Sequence, residues 1–301
     1  MEQKNLAVQQ VLRILPGRLQ PLGNRLSEEE WKQVEELRLR VGYPMTAVLP
    51  EGELCLGGEA ITPRDLERLV EIASCASIHA VLPQLQEGFL TIEGGHRIGL
   101  CGTVVLEGER IKMLRDLSSA SIRVARQFPG IGRDVAARLM ENGWLQSTLI
   151  LAPPGGGKTS LLRDLIRTVS NGEVGKTMRV GVVDQRGELG AAYRGQAQLD
   201  LGRHTDLLSG SPKAAGLMLL LRAMNPQVLA VDEVTAPEDV HALLTAGGCG
   251  VSLLATVHGA DRTDLERRKL YQELMEARVF RRLVTIQGRG CRRKYQVEVL
   301  Q

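Results

Sequence analysis

The stretch LILAPPGGGKTSLLRDLIR, residues 149–167, constrains the chain more than any other. STLILA has the composition of a buried strand, and LLRDLIRTV beyond the glycines carries its apolar residues at helical spacing. A glycine-rich loop between a strand and a helix is the context of a phosphate-gripping P-loop, written G-x-x-x-x-G-K-[ST]. Gly157, Lys158 and Thr159 fill its last three positions, and Ala152 stands where the first glycine belongs. Ala152 falls at the end of the strand, before the loop curls, so a negative φ makes the replacement mild. Pro154, Gly155, Gly156, Gly157, Lys158, Thr159 and Ser160 are therefore the candidate nucleotide-binding residues. Backbone N–H groups and the helix N-terminus suit phosphate. Lys158 is expected to reach the β- and γ-phosphates and the Thr159 hydroxyl to ligate Mg²⁺, making ATP and Mg²⁺ the expected ligands.

From Ser147 onward short apolar strands alternate with longer helices. Strands are expected over about 148–152, 179–184, 228–232 and 251–257, and helices over about 158–170, 212–224, 236–246 and 261–276. Continuous apolar strands separated by helices predict a parallel sheet covered on both faces. The fold class is α/β: a P-loop NTPase domain of RecA/AAA+-like type, closed by a hairpin of RRLVTIQ, the turn GRG and RKYQVEVL. The first half reads as a smaller α+β domain. Val8, Val11, Leu12 and Leu15 follow helical spacing, and Ser27 with Glu30 forms a capping box. LRLRV and SIRVA alternate as half-exposed strands, and Thr62-Pro63 opens a helix to about Cys75. A second helical pattern covers about 78–87, two strands flank Gly94-Gly95, and a third follows Gly108. FPGIG is a plausible linker, a helix is expected from about 133 to 141, and the domains are placed at 1–130 and 131–301.

Composition narrows the function. Aromatic residues make up 3% of the 301 and the net charge is +3, which speaks against stacking platforms for single strands and against specific nucleic-acid binding. Cys55, Cys75, Cys101, Cys249 and Cys291 stand singly, as free thiols do in a reducing compartment. No apolar run approaches the ~20 residues that span a bilayer. The N-terminal stretch lacks the pattern of a signal peptide. A cytoplasmic protein with at most peripheral membrane contact is expected.

Hydrolysis needs acids near the loop. VLAVDEV, residues 228–234, is an apolar strand ending in Asp232 and Glu233. Asp232 is expected to hold the Mg²⁺ waters and Glu233 to polarise the attacking water. VVDQRGEL offers Asp184, Arg186 and Glu188 after another strand, either at the ligand edge of the sheet or as a charged surface loop, with Glu188 the best catalytic candidate. LLATVHG places Thr256 and His258 at a further strand end, where a polar group can sense the γ-phosphate. Arg97, Arg115, Arg123 and Arg126 are candidates for an arginine supplied across a subunit interface, or else solvate a surface. Residues 262–294 hold eleven basic and four acidic side chains, fit for anionic lipid, an acidic tail or nucleic acid, and equally for an exposed helix and hairpin.

Taken in order, VEELRLRVGYPM, GFLTIEGGHRIGLCGTVVLEGERI, LSSASIRVAR, the P-loop, VVDQRGEL, LSGSPKAAGLMLLLRAMNPQVLAVDEV and LLATVHG closely resemble the stage III sporulation protein AA family of endospore-forming bacteria. The resemblance covers about residues 34–260, and GGHRIGLCG is its most specific part. It implies an ATPase related to the secretion and pilus motor ATPases, energising a channel complex between mother cell and forespore. Asp232–Glu233 then corresponds to Walker B, Asp184–Glu188 to the acidic box, and Thr256–His258 to the histidine box of such motors. It also implies a homo-oligomeric ring, a hexamer, whose N-terminal domain caps a neighbour's site, and an integral-membrane channel partner bound at the cytosolic face on the mother-cell side. Thr235 stands near where the family carries glycine after the Walker B acids, and Gln185 departs from its usual Asp-Glu-Arg start. Two readings stand beside hydrolysis: a nucleotide-gated assembly module without turnover, and a RecA-like motor on DNA.

Overall fold

The computed structural model describes residues 2–75, 78–288 and 293–300. The chain forms two compact units, Met1–Arg126 and Gln127–Gln301. The first contains α1 (Glu2–Ile14), α2 (Gln20–Gly23), α3 (Glu28–Trp31), β1 (Glu36–Arg40), β2 (Thr46–Leu49), β3 (Gly52–Cys55), α4 (Pro63–Ala73), α5 (Ile78–Gln86), β4 (Phe89–Thr91), β5 (Arg97–Glu107) and β6 (Arg110–Arg123). Its six strands pair antiparallel in the order β3-β2-β1-β6-β5-β4. β1 turns Leu37 and Leu39 into the core and leaves its polar residues half-exposed, the alternation of a sheet covered on one face. Leu66 and Leu69 of α4 share that core with Val11 and Leu15. Each buried aliphatic side chain contributes about 1.5–3 kcal/mol.

Local chemistry places these elements. Ser27 accepts from the Glu30 N–H at 3.2 Å, and Glu30 accepts from the Ser27 N–H at 2.8 Å, closing the expected box. The GGHRIG motif is a structural clasp. His96 is buried, and its Nδ1 accepts from the Ala125 N–H at 3.0 Å, tying the turn before β5 to the segment after β6. Burial pushes the His96 pKa down to about 4, so the ring stays neutral. The stretch after Gly108 and the start of SIRVA are not separate strands: β6 runs unbroken from Arg110 to Arg123.

The second unit contains α6 (Arg133–Leu139), β7 (Met140–Glu141), β8 (Trp144–Leu145), β9 (Thr148–Ala152), α7 (Lys158–Ser170), β10 (Val180–Asp184), β11 (Thr205–Ser209), α8 (Lys213–Ala223), β12 (Val228–Val231), α9 (Pro237–Gly248), β13 (Ser252–His258), α10 (Arg262–Arg267), α11 (Lys269–Glu276), β14 (Arg282–Gln287) and β15 (Lys294–Val299). Seven strands form one sheet in the order β11-β10-β12-β13-β9-β14-β15, parallel except for the closing β14–β15 pair. Ile150 and Ala152 pack with Leu161 and Leu165 of α7 on one face, while Leu149 and Leu151 pack with Leu217 of α8 and Leu243 of α9 on the other. β9 is thus buried on both sides, which is why it reads as an unbroken apolar run.

Two features differ from the sequence expectation. β11 is an additional strand at the sheet edge; half-exposed TDLLS lacks the apolar run of its neighbours. The helix expected over 261–276 is broken at Arg268, whose φ of −85° and ψ of 115° are extended. Most of the GRG turn, with Cys291, lies outside the described residues. No helix among them is long and apolar enough to cross a membrane.

Candidate active site

The strands of the second unit end in register. Val231 of β12 lies beside Ala255 of β13, and His258 of β13 beside Ala152 of β9. The C-terminal ends of these strands therefore lie along one edge with the loop that follows β9. Ala152 is buried and closes the strand without a positive φ, so its methyl group is no obstacle. Gly157 has φ +94°, a left-handed conformation that a side chain would strain, and it starts α7 with its free N–H groups. Lys158 is buried, and its Nζ donates to the carbonyls of Ala152 at 3.0 Å and Pro153 at 3.3 Å, folding the lysine back along the loop. Burial lowers the Lys158 pKa, against the opposing charges of Asp232 and Glu233.

Thr159, in the first turn of α7, donates its hydroxyl to Asp232 Oδ2 at 2.6 Å. The other oxygen, Oδ1, accepts from the Thr256 hydroxyl, which itself accepts from the Glu233 N–H at 2.8 Å. A hydroxyl can donate one bond and accept another, so Thr256 sets the backbone and the carboxylate of the acidic pair together. Glu233 has φ +56°, uncommon for a residue with a side chain. That conformation is clamped at both ends: the N–H by Thr256, the carbonyl by the buried Lys213 ammonium. Lys213 also reaches Thr235 Oγ1 at 3.3 Å and Asp239 Oδ2 at 3.4 Å. The Thr235 departure from the family pattern thus supplies a polar contact.

His258 links the two halves of the site. Its Nδ1 lies 2.8 Å from Lys158 Nζ, and its Nε2 lies 2.6 Å from Glu233 Oε1. An ammonium only donates, so Nδ1 accepts and Nε2–H donates to the carboxylate. Arg186 pairs with Oε2 of the same carboxylate. Burial raises the Glu233 pKa, but the His258 hydrogen bond and the charges of Arg186 and Lys213 outweigh it and hold the acid below the usual carboxylate range.

The rest of the acidic loop divides. Asp184 turns inward and accepts from the N–H groups of Glu188 at 2.8 Å, Leu189 at 3.1 Å and Gly190 at 2.8 Å, so it shapes the loop. Glu188 is exposed, and its charge acts on Arg163. Arg163, on α7, donates to the carbonyls of Leu189 at 2.8 Å and Glu188 at 2.5 Å. In the first unit, Arg126 donates to the carbonyls of Trp31 at 3.2 Å, of Val34 and of Lys32. Arg123 Nε pairs with Glu36 at 2.8 Å. The Arg97 guanidinium lies 3.5 Å from the centre of the Phe89 ring, and Arg115 is exposed on β6.

Sequence reasoning missed Lys213, Arg163 and Arg293. For Lys213 a signal existed: a cation opening a helix opposes the helix dipole and calls for a nearby anion. Arg293 belongs to the basic stretch 262–294, and nothing in that stretch distinguishes it. A Cβ built on Gly157 would lie 2.7 Å from Arg293 Cζ, so the guanidinium sits against the loop.

The donor set fits a magnesium nucleotide. The Thr159 hydroxyl and the Asp232 carboxylate already meet, and both are the hard oxygen donors that Mg²⁺ takes beside phosphate and water. Gly157 and the start of α7 present N–H groups of the kind that grip phosphate.

Sheet order, loop and flanking helices define a P-loop NTPase fold preceded by an N-terminal domain. The pilus retraction motor PilT, solved with bound ADP, shares this fold with a TM-score of 0.63 at 16% identity, over 89% of this chain and 80% of that one. The Legionella pneumophila ATPase DotB shares it with a TM-score of 0.58 at 14% identity, over 91% of this chain and 79% of that one. The family model for sporulation stage III, protein AA matches residues 4–295. Stage III sporulation protein AA of Bacillus subtilis strain 168 is 37% identical over 278 residues, covering 92% of this chain and 90% of the relative. The chain belongs to the sporulation stage III protein AA family.

Proposed function

We propose that this protein is a Mg²⁺-dependent ATP hydrolase that powers or assembles a secretion-like channel during sporulation. The observation that carries this reading is the meeting of Lys158, the Thr159–Asp232 pair and Glu233 at one edge of the sheet. ATP lies along the loop from Gly155 to Ser160, with Lys158 reaching the terminal phosphates. Thr159 would hold Mg²⁺ directly and Asp232 through water, and the ion would neutralise charge on the phosphate oxygens. Glu233 orients the attacking water and draws on its proton. His258, bonded to both Lys158 and Glu233, relates the phosphate side of the site to the base and so senses the γ-phosphate. Glu188 is a further acidic group at the site's rim.

The active form is a homo-oligomeric ring of six subunits. A neighbour's N-terminal domain supplies an arginine that neutralises charge as the γ-phosphate departs. Of Arg97, Arg115, Arg123 and Arg126, we assign this role to Arg115. Arg123 is paired with Glu36, Arg126 holds backbone carbonyls and Arg97 stacks on Phe89, whereas Arg115 is exposed. The ring works at the cytoplasmic face of the mother cell, held peripherally by an integral-membrane channel protein, with no specific nucleic acid. Family membership and the fold shared with motor ATPases support this setting.

Phosphate release from MgATP tests the reading, measured over a protein concentration series that reaches the assembled state. Lys158→Ala is expected to lower turnover by at least about 100-fold, the scale of losing one charge-stabilising donor. Equal turnover in the variant and the parent overturns the assignment.

A further inference from the structure

Beyond Lys158, a second cation stands at the phosphate loop. Arg293 lies just before β15, and its guanidinium packs on Gly157: a built Cβ there would be 2.7 Å from Cζ, 2.9 Å from Nε and 3.1 Å from Nη1. The absence of a side chain at Gly157 is what lets the arginine approach. Its Nε is buried and makes no hydrogen bond among the described residues. Desolvating a guanidinium N–H is costly unless it finds an acceptor. Its placement beside the N-terminus of α7 adds to that cost, because a cation there opposes the helix dipole. Both penalties are offset by an anion that accepts from the arginine and from the N–H groups of the loop together.

Strand order fixes which part of the nucleotide that anion is. In the sheet, β12 lies two strands from β9 on one side, and β15 lies two strands away on the other. Asp232 and Glu233 follow β12, so the Mg²⁺ and γ-phosphate end of the nucleotide points that way. Arg293 therefore faces the opposite end, where the α-phosphate joins the nucleoside.

We propose that Arg293 is a nucleotide-binding residue acting within its own subunit, donating to the α-phosphate of bound ATP or ADP. The inference rests on the reading of the site as an ATP site. Because the α-phosphate is present before and after hydrolysis, Arg293 holds substrate and product alike. It differs in this from an arginine directed at the γ-phosphate, which strengthens its contact only as the terminal bond breaks.

The test is calorimetric titration of the full-length protein with MgADP, together with steady-state hydrolysis of MgATP. Arg293→Gln is expected to weaken MgADP binding about tenfold or more, the scale of a lost charge-assisted hydrogen bond. KM for MgATP is expected to rise in step while kcat stays within about twofold, as loss of uniform binding requires. Arg293→Lys is expected to regain part of the ADP affinity, with an unchanged melting temperature in the absence of nucleotide. Unaltered MgADP affinity in Arg293→Gln overturns the proposal, and so does a lowered kcat with ADP affinity intact. A lowered melting temperature with no rescue by lysine also overturns it, because that pattern marks a packing role. If the parent protein itself fails to bind MgADP, the ATP-site reading falls instead, which separates the two failures.

Discussion

Glu233 is the one residue of the acidic pair with a positive φ, +56°. Its left-handed backbone costs about 1–3 kcal/mol. It is held by Thr256 at its N–H and Lys213 at its carbonyl, while His258 and Arg186 hold its carboxylate. Four groups from three parts of the fold, β13, α8 and the loop after β10, thus aim one side chain. Despite burial, the His258 hydrogen bond and the charges of Arg186 and Lys213 hold its pKa below the usual carboxylate range, which makes it a weaker base. Arg186 is the exposed member and acts mainly through charge. Arg186→Ala is expected to raise the Glu233 pKa, so the acid limb of the pH–rate profile moves to higher pH. The sign follows because losing a nearby cation favours the protonated acid. An acid limb that stays in place shows that Glu233 is not the group titrating there. At this scale, residues within one motif were legible in the sequence, because Gly157, Lys158 and Thr159 are adjacent. Lys213, Arg163 and Arg293 were not, because each meets its partner only when distant strands and helices are stacked: Lys213 with the Glu233 carbonyl, Arg163 with the carbonyls after β10, Arg293 with the loop after β9.

Among the elements, α7 does more than begin at the phosphate loop. Its Asp164 is buried and accepts from the N–H groups of Gly130 at 3.0 Å and Gly132 at 2.7 Å, fastening the FPGIG segment onto the helix. Arg167 supports the carboxylate from one turn on, at 2.8 Å. Asp164→Ala leaves those amides unpaired and is expected to destabilise the second unit by about 2–3 kcal/mol. Hydrogen exchange checks this: the Gly130 and Gly132 amides should lose protection, and retained protection refutes it. Which elements the sequence revealed follows from their burial. β9, β10, β12 and β13 are apolar runs with nearly every residue inside, and α7 keeps an apolar stripe, so their patterns are unambiguous. β11 is a sheet edge with half-exposed residues, and its pairing to β10 is a tertiary fact. The break at Arg268 has no proline or glycine to announce it. In 262–294, Arg262 pairs with Glu266 and Arg268 with Asp264 at local i,i+4 spacing, whereas Arg282 meets Glu141 only in the fold.

On the scale of the molecule, the two units solve different problems. The first is an antiparallel sheet with a single core, locked by the buried neutral His96. The second is a parallel sheet with a core on each face, whose strand ends gather the phosphate loop, the acidic pair and His258 along one edge. The pilus retraction motor PilT and the ATPase DotB share this fold. In the proposed function, Glu233 turns a nucleotide site into a hydrolytic one. This role is tested most directly by comparing MgATP binding and phosphate release in Glu233→Gln and the parent, both assembled. In Glu233→Gln, ATP binding is expected within a few-fold of the parent and turnover lower by about 100-fold or more, the contribution of a positioned general base. Turnover equal to the parent's, with ATP bound as tightly, would contradict it.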